Sequence, residues 1–317
     1  MIISASRRTD IPSFYSEWFF QRLKEQYVLV RNPVNPHLIS RISLSPNVVD
    51  GIVFWTKNPL PMLDRLSELE KYPFYFQFTL TAYGKDIEPN LPSKNTVIIP
   101  AFQQLSRRIG KHRVIWRYDP IFFNEVYTME YHCRYFQVLA SKLGAFTEKC
   151  TVSFLDPYKS ISKSIQSLKI QAETEKQQYE LLQRFSRIAQ NAGITIDTCA
   201  EPADFSNLGI PHACCIDRQR LERIGQWKLS IGKDPNQRKE CGCISSIDIG
   251  AYNTCKSGCL YCYANSAPSL VIKNTQNHNP LLPLLFGQIG TNDIVKDRKM
   301  KSCREGQMSL FSLPQTQ

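Results

Sequence analysis

A short apolar run followed by a polar tip recurs seven times along this chain, and an amphipathic segment follows most of the tips. Alternating strand and helix predict a parallel β-sheet, because each helix carries the chain back to the start of the next strand. Polar tips after the strands are typical of a (β/α) barrel, whose chemistry lies at the carboxyl ends of its strands. We therefore expect an α/β protein with a full or partial barrel, and a doubly wound open sheet is the alternative. The predicted strands span residues 1–6, 51–55, 74–80, 113–116, 150–154, 194–198 and 245–249.

Apolar residues at helical spacing predict the helices between these strands. Ahead of the first helix, Asp10 suits an N-cap and Pro12 suits a first turn. Two additional runs, at residues 27–31 and 38–44, predict a short hairpin inserted after that helix. The predicted helices span residues 12–26, 60–70, 94–110, 128–143 and, as one long stretch, about 164–192.

The composition is that of a soluble globular protein, with 42% of the 317 residues hydrophobic and 21% charged. The chain opens without a basic and apolar leader, and its longest apolar runs are too short to span a bilayer. We therefore expect a cytoplasmic protein that has no membrane partner. Eleven cysteines without a secretion signal favour a metal protein over a disulfide scaffold. We expect one barrel domain over residues 1–272, with a cysteine-rich region at 199–262, and a C-terminal extension or tail over residues 273–317.

The formal net charge of +11 is compatible with nucleic acid or another anionic partner. The basic residues are spread widely, however, and an ordinary basic enzyme explains them equally well. Only residues 107–113 form a tight basic cluster, which is also typical of a solvated helix end.

Three cysteines with the spacing C-x3-C-x2-C lie near the end of the chain, at Cys255, Cys259 and Cys262. A reduced cysteine packs as a small apolar residue and gains nothing from clustering, so this group favours a metal. Three thiolates on one loop can hold three irons of a 4Fe–4S cluster and leave the fourth iron without a protein ligand. Gly258 would let the backbone fold tightly around such a cluster.

This spacing, with Tyr261 just before the last cysteine, resembles the signature of the radical S-adenosylmethionine superfamily. The resemblance implies that the open iron binds the amino and carboxylate groups of S-adenosylmethionine. It also implies a 5′-deoxyadenosyl radical that abstracts a substrate hydrogen, and an electron donor such as flavodoxin or ferredoxin. More of the chain resembles the domain of unknown function 1848 family, in the segments S-A-S-R-R-T-D-I-P (4–12), W-T-K-N-P (55–59), W-R-Y-D-P (116–120) and residues 241–265.

The cluster loop of radical S-adenosylmethionine enzymes normally lies near the N-terminus, whereas here it is almost last. The first and last strands of a closed ring are neighbours, so moving the chain ends leaves the ring unchanged. We therefore expect a circularly permuted barrel in which the first strand, ending at residues 7–10, lies beside the cluster. The motif order T-K-N-P, I-E-P-x-x-P and R-Y-D-P-I is loosely similar to enzymes of the spore photoproduct lyase type. That similarity leaves the substrate open, with DNA repair as one option.

Four other cysteines are candidate ligands of a second metal site: Cys199, Cys215, Cys241 and Cys243. Four thiolates could bind an auxiliary iron–sulfur cluster or a tetrahedral zinc ion. The alternatives are that Cys214 takes the place of Cys215, or that both are simply buried small residues. We expect Cys133 and Cys150 to lie in the core and Cys303 in the tail.

Charged and polar groups at the strand tips are the candidates for catalysis and cofactor binding. A carboxylate-bearing cofactor on a negatively charged cluster needs cations nearby. Salt bridges within the rim, to acids such as Asp156 and Glu201, are the alternative explanation of these cations. The candidate catalytic residues are Arg7, Asp10, Lys57, Arg117 and Asp119. The candidate cofactor contacts are Arg8, Thr9, Thr81, Tyr252 and Tyr261, while Tyr83 and Tyr118 could stack on a base but suit the core better.

The tail carries a short peptide, Gln-Met-Ser-Leu-Phe from Gln307 to Phe311, that resembles the peptide with which bacterial repair proteins dock on the sliding clamp. Packing of Leu310 and Phe311 against the chain's own barrel is the alternative. Two functions follow from the sequence. The first is a radical S-adenosylmethionine enzyme of unknown substrate, with a nucleotide or nucleic acid as one option. The alternative is a zinc- or iron–sulfur-stabilised nucleic-acid-binding protein with structural cysteines.

Overall fold

The structure is a computed structural model that describes residues 1–305. The peptide from Gln307 to Phe311 therefore lies outside the described residues. Strands are numbered in chain order as β1 (Ile2–Ala5), β2 (Tyr27–Arg31), β3 (Leu38–Ser43), β4 (Gly51–Thr56), β5 (Phe74–Thr79), β6 (Val114–Ile121), β7 (Lys149–Phe154), β8 (Thr195–Thr198), β9 (Ile247–Asp248) and β10 (Ile294–Asp297).

A parallel sheet of seven strands, in the order β8-β7-β6-β5-β4-β1-β9, forms the centre of the molecule. Its central strands are rich in aromatic and β-branched residues and are buried on both faces, as parallel sheets require. This confirms the predicted α/β fold and its seven strands. β8 and β9 are the two end strands of this sheet. Within residues 1–305, β8 pairs only with β7 and β9 pairs only with β1 among the strands of the sheet.

Helices connect most of these strands, so the carboxyl ends of the strands meet at one edge of the sheet. Among them, α5 (Met129–Leu143) and α7 (Glu175–Asn191) pack on β6 through a stack of Trp116, Phe136 and Phe185, with ring centroids 4.8 Å and 3.9 Å apart. The helices are α1 (Ile11–Phe14), α2 (Ser16–Glu25), α3 (Leu60–Leu63), α4 (Ile99–Ile109), α5 (Met129–Leu143), α6 (Ser162–Ser167), α7 (Glu175–Asn191), α8 (Arg218–Gly225) and α9 (Pro268–Gln276).

The helix predicted over residues 12–26 is broken at Tyr15, which separates α1 from α2. Tyr15 leaves helical geometry with φ −137° and ψ 25°. Its hydroxyl donates a 2.6 Å hydrogen bond to the carbonyl of Thr254, next to the first cysteine of the C-x3-C-x2-C loop. The break therefore connects the first helical segment to that loop.

The single helix predicted over residues 164–192 is wrong, because α6 ends at Ser167 and α7 begins at Glu175. Thr174 and Gln177 form a reciprocal capping box, with bonds of 3.3 Å and 2.9 Å, that starts a new helix. Gln171, in the connection, donates its backbone N–H to the carbonyl of Phe123.

Three other predicted elements differ in length from those observed. The helix predicted over residues 60–70 is α3 followed by a 3-10 turn, Leu66–Leu69. The strand predicted to end at residue 116 continues as β6 to Ile121, so Arg117 and Asp119 lie within a strand and not at a tip. The strand predicted over residues 245–249 has only the two residues of β9.

The predicted hairpin is present as β2 and β3, paired antiparallel with Leu29 opposite Arg41. A third strand that the sequence did not predict, β10, pairs parallel with β3 and makes a second, three-stranded sheet. In residues 1–305, no helix is long and apolar enough to cross a membrane.

Candidate functional site

A cavity of about 430 Å³ opens at the carboxyl edge of the parallel sheet. Its walls come from the tips of β1, β4, β5, β7 and β8, from the second half of β6, and from irregular segments within residues 215–243 and 255–264. Seven of the eleven cysteines line it: Cys199, Cys215, Cys241, Cys243, Cys255, Cys259 and Cys262. The structure thus brings all seven predicted metal ligands to one cavity.

The C-x3-C-x2-C loop follows β9, and β9 pairs with β1 through Ser4 and Asp248. Asp248 accepts hydrogen bonds from the hydroxyls of Ser4 (2.7 Å) and Ser6 (2.5 Å) and from the backbone N–H of Arg7 (2.8 Å). These bonds hold the tip of the first strand beside the start of the loop. Residues 7–10 therefore lie beside the start of the cysteine loop, as the sequence predicted.

Gly258 gives the loop its tight turn, with a backbone φ of +70°. A Cβ at this position would lie 2.8 Å from Nδ2 of Asn90, which donates to the carbonyl of Lys256 at 2.9 Å. Burial, with the nearby Cys262, raises the pKa of the Cys255 thiol to about 12. A bound metal would have the opposite effect and lower the pKa of the thiol, because a metal coordinates the deprotonated thiolate.

Glu88 connects the loop to the sheet through a buried network that the sequence analysis did not select. Its Oε1 accepts from Lys57 Nζ at 2.7 Å and from the hydroxyl of Tyr261, and its Oε2 lies 2.5 Å from Lys94 Nζ. Burial alone would raise the pKa of Glu88, but the two lysines lower it to about 2. Thr81, predicted as a cofactor contact, instead donates to Glu88 at 2.9 Å and lies outside the cavity lining. The motif I-E-P was the signal for Glu88 in the sequence.

Arg7, Thr9 and Lys57 line the cavity, each from the tip of a strand. Arg7 lies over the ring of Trp55, with 5.2 Å to the centroid. In residues 1–305, Arg7 Nη2 and Thr9 Oγ1 are buried and have no hydrogen-bond partner. Such atoms are expensive to leave unpaired, so they favour a bound group in the cavity.

The remaining predicted residues have other roles or lie elsewhere. Asp10 also lines the cavity, but its carboxylate caps α1 by accepting from Ser13 N at 3.0 Å and binds Lys57 N at 2.7 Å. Arg8 and Tyr252 stack on one another at 5.2 Å outside the lining. Tyr83 and Tyr118 are buried in the core.

Arg117 and Asp119 both line the cavity and bind each other. Arg117 is also a donor to Cys215 Sγ, at 2.8 Å. Cys215 Sγ in turn lies 3.1 Å from Cys199 Sγ. In the part of the chain that is described, no three His, Cys, Asp or Glu side chains are arranged to hold a single metal ion.

The outer wall of the cavity combines Asp156, a predicted rim acid, with Arg238 and Tyr263, which were not predicted to lie there. Arg238 forms a two-pronged ion pair with Asp156, with distances of 2.9 Å and 2.8 Å. Tyr158 and Tyr263 lie 5.2 Å apart beside it. Glu201, the other predicted rim acid, lies outside the lining, where it accepts from Phe154 N at 2.8 Å and burial raises the pKa of its carboxyl to about 7. Arg238 and Tyr263 come from irregular loops, where no periodic pattern marks them.

Comparison with protein families gives one match over nearly the whole chain. The model described as "Domain of unknown function (DUF1848)" matches residues 2–264. No curated protein and no solved structure matches the chain.

Proposed function

The chain belongs to the domain of unknown function 1848 family, and we propose that it is a radical S-adenosylmethionine enzyme. Cys255, Cys259 and Cys262 would hold the 4Fe–4S cluster. One observation supports this most: the three thiols line the same cavity as Arg7 and Lys57, at the carboxyl edge of a parallel sheet. Cofactor chemistry in α/β folds is concentrated at that edge.

The donor set fits such a cluster. Each thiolate of a cubane cluster binds a different iron, so the ligands lie farther apart than around a single ion. The loop supplies three thiols and leaves one iron for a ligand that is not protein.

The residues around the thiols suit S-adenosylmethionine. Cys255, Cys259 and Cys262 would hold the cluster, which would supply the electron for reductive cleavage of S-adenosylmethionine and so the chemistry for hydrogen abstraction from a substrate. Arg7 Nη2 and Thr9 Oγ1 have no hydrogen-bond partner within residues 1–305, so Arg7 would suit the carboxylate of the cofactor and Thr9 its amino group. Lys57 adds a cation next to Cys259.

The proposal extends to the fold. We interpret the seven parallel strands as a partial (β/α) barrel. The strand that precedes the cluster loop, β9, is the last of the seven in chain order but would correspond to the first strand of an ordinary barrel of this type. The pairing of β9 with β1 supports this circular permutation, because it joins the last strand to the first.

We extend the proposal to a nucleotide or nucleic-acid substrate. The support is the net charge of +11 and the outer wall, where Arg238 lies beside the aromatic pair of Tyr158 and Tyr263. Exposed aromatic side chains suit the stacking of bases, whereas the guanidinium of Arg238 is already paired with Asp156.

The experiment is anaerobic reconstitution with iron and sulfide, followed by electron paramagnetic resonance of the reduced protein with and without S-adenosylmethionine. We expect a reduced-cluster signal that changes when the cofactor is added, and 5′-deoxyadenosine on incubation with dithionite. Changing Cys255, Cys259 and Cys262 together to Ala should abolish both. Cys133→Ala, on α5 and outside the cavity, is the control that should retain both.

A signal that ignores the cofactor, with no 5′-deoxyadenosine, would contradict the proposal. Stoichiometric zinc without iron would instead favour a nucleic-acid-binding protein with structural cysteines.

A further inference from the structure

The four other cysteines of the cavity come together from three separate parts of the chain. Cys199 follows β8, Cys215 precedes α8, and Cys241 and Cys243 lie between α8 and β9. The sulfurs of Cys199 and Cys215 are 3.1 Å apart. Gly242 makes the convergence possible, because a Cβ there would lie 2.4 Å from Cys214 Sγ and 3.3 Å from the carbonyl of Ala213.

These sulfurs accept hydrogen bonds from buried N–H groups. Arg117 Nη1 donates to Cys215 Sγ at 2.8 Å, and the backbone N–H of Ile216 donates to Cys243 Sγ at 3.3 Å. Asp119 is the ionic partner of this guanidinium, so its contact with Cys215 is an additional interaction with the sulfur. N–H donors to sulfur are the interactions that tune metal–thiolate centres.

We propose that Cys199, Cys215, Cys241 and Cys243 bind a second metal centre through four thiolates. Such a donor set selects soft metals, either as an iron–sulfur cluster or as a single zinc ion. Sulfurs around a tetrahedral zinc ion lie about 3.8 Å apart, given Zn–S bonds of about 2.3 Å. No three candidate ligands in residues 1–305 are arranged around one ion position, so zinc binding requires these sulfurs to move, including opening of the 3.1 Å contact between Cys199 and Cys215. Cys241 and Cys243 lie in a segment outside helices and strands. This segment can shift to bring its two sulfurs to a metal without disrupting the sheet.

Cys214 provides a control within the same peptide. It is adjacent to Cys215, but its side chain is outside the lining of the cavity and lies against Gly242. The second centre therefore depends on Cys215 and does not depend on Cys214. It is also independent of the proposed function, because it uses none of the three thiols of the C-x3-C-x2-C loop.

The test uses the full chain with Cys255, Cys259 and Cys262 all changed to Ala, prepared anaerobically with and without iron and sulfide. Iron, sulfide and zinc are measured per chain. We expect this background to retain about four irons with sulfide, or about one zinc ion. Adding Cys215→Ser should remove that metal, and adding Cys214→Ser should leave it.

Sulfide content distinguishes the cluster from the zinc ion. Far-UV circular dichroism establishes that each variant is folded, and Cys241→Ser, in the irregular segment, replaces Cys215→Ser if the latter does not fold. A background that holds neither iron nor zinc overturns the proposal. So does metal that remains at the same level after both Cys215→Ser and Cys241→Ser.

Discussion

At the scale of single residues, Glu88 is a buried carboxylate of the site that is paired with two lysines. Only 1% of its surface is exposed, and its carboxylate is shared by Lys57, Lys94 and Tyr261. Three segments therefore meet on one acid: the tip of β4, the chain before α4, and the cysteine loop. Without its charge, two lysine ammonium groups would remain close together in a poorly hydrated position.

We expect Glu88→Gln to lower the free energy of unfolding by about 3–5 kcal/mol, because it leaves buried cations without their counter-charge. Equilibrium unfolding in urea measures the loss. Glu68→Gln is the matched control, since Glu68 pairs with Arg65 where both side chains are more than 40% exposed. The control should cost less than about 1 kcal/mol. Equal losses in the two variants would contradict the role of burial.

His132 is a buried imidazole whose two ring nitrogens are both occupied. The hydroxyl of Tyr118 lies 2.8 Å from Nδ1, and Nε2 lies 2.9 Å from the carbonyl of Phe122. The neutral ring satisfies both contacts, with Nδ1 accepting and Nε2 donating. Burial lowers the pKa of His132 to about 4.

The unfolded chain takes up a proton at His132 near its ordinary pKa of about 6.5, and the folded chain does so only near 4. Stability from this residue is therefore fully present above pH 6.5 and is lost as the pH falls towards 4, by up to about 3 kcal/mol. Urea unfolding at several pH values measures the slope. His132→Gln should flatten it, and His212→Gln, at an exposed position, should not. Identical slopes in all three proteins would exclude His132 as the cause.

At the scale of elements, helix ends limit what the sequence can predict. The capping box of Thr174 and Gln177 was readable, but apolar spacing on both sides favoured one continuous helix over residues 164–192. β10 was missed because all four of its residues are exposed, so it has no buried face to create a pattern. Arg117 and Asp119 were assigned to a tip because charged residues rarely lie within a buried strand; they lie there because they pair.

The packing of α5 against α7 depends on a glycine at the end of α5. A Cβ on Gly144 would lie 2.5 Å from the carbonyl oxygen of Ala192, at the end of α7. A backbone oxygen cannot move away as a flexible side chain can. We expect Gly144→Ala to lower the free energy of unfolding by about 1–3 kcal/mol, with a lower Tm, because the two helix ends must separate.

Gly232→Ala is the matched control for that change, because nothing lies within 4 Å of a Cβ at Gly232. Its effect should stay within about 0.5 kcal/mol. Thermal unfolding of the two variants side by side gives the comparison. If Gly144→Ala leaves the free energy of unfolding unchanged, the close contact between Gly144 and the carbonyl oxygen of Ala192 does not limit the packing of α5 against α7.

At the scale of the whole molecule, the sequence could predict the sheet and the cysteines but only part of the cavity wall. Strand tips such as Arg7 and Lys57 were predictable, because parallel strands bring their carboxyl ends together. Arg238 and Tyr263 reach the cavity through irregular connections, whose path depends on tertiary packing. Glu88 was missed because its importance comes from burial between two lysines, and sequence does not reveal burial.

The start of the chain and the end of its described part lie together. The Met1 ammonium group donates to the carbonyl of Lys301 at 3.2 Å, and Asp50 binds both Met1 and the backbone N–H of Cys303. The last strand of the sheet also pairs with the first. We infer that native contacts, and not the order in which segments are synthesised, determine this arrangement.

A permuted chain tests that statement. Residue 305 would be joined to residue 1 by a short Gly-Ser linker, and the chain would be opened between Lys239 and Glu240, outside regular structure. We expect this protein to fold and to bind as much iron as the unpermuted chain, because a short loop adds little closure entropy. The linker replaces the ammonium at Asp50, but Arg304 remains 3.0 Å from that carboxylate. Opening the chain inside β5 instead is the negative control, since it interrupts a central strand. Loss of folding and iron in both permuted chains would show that the late position of the cysteine loop is required by the fold.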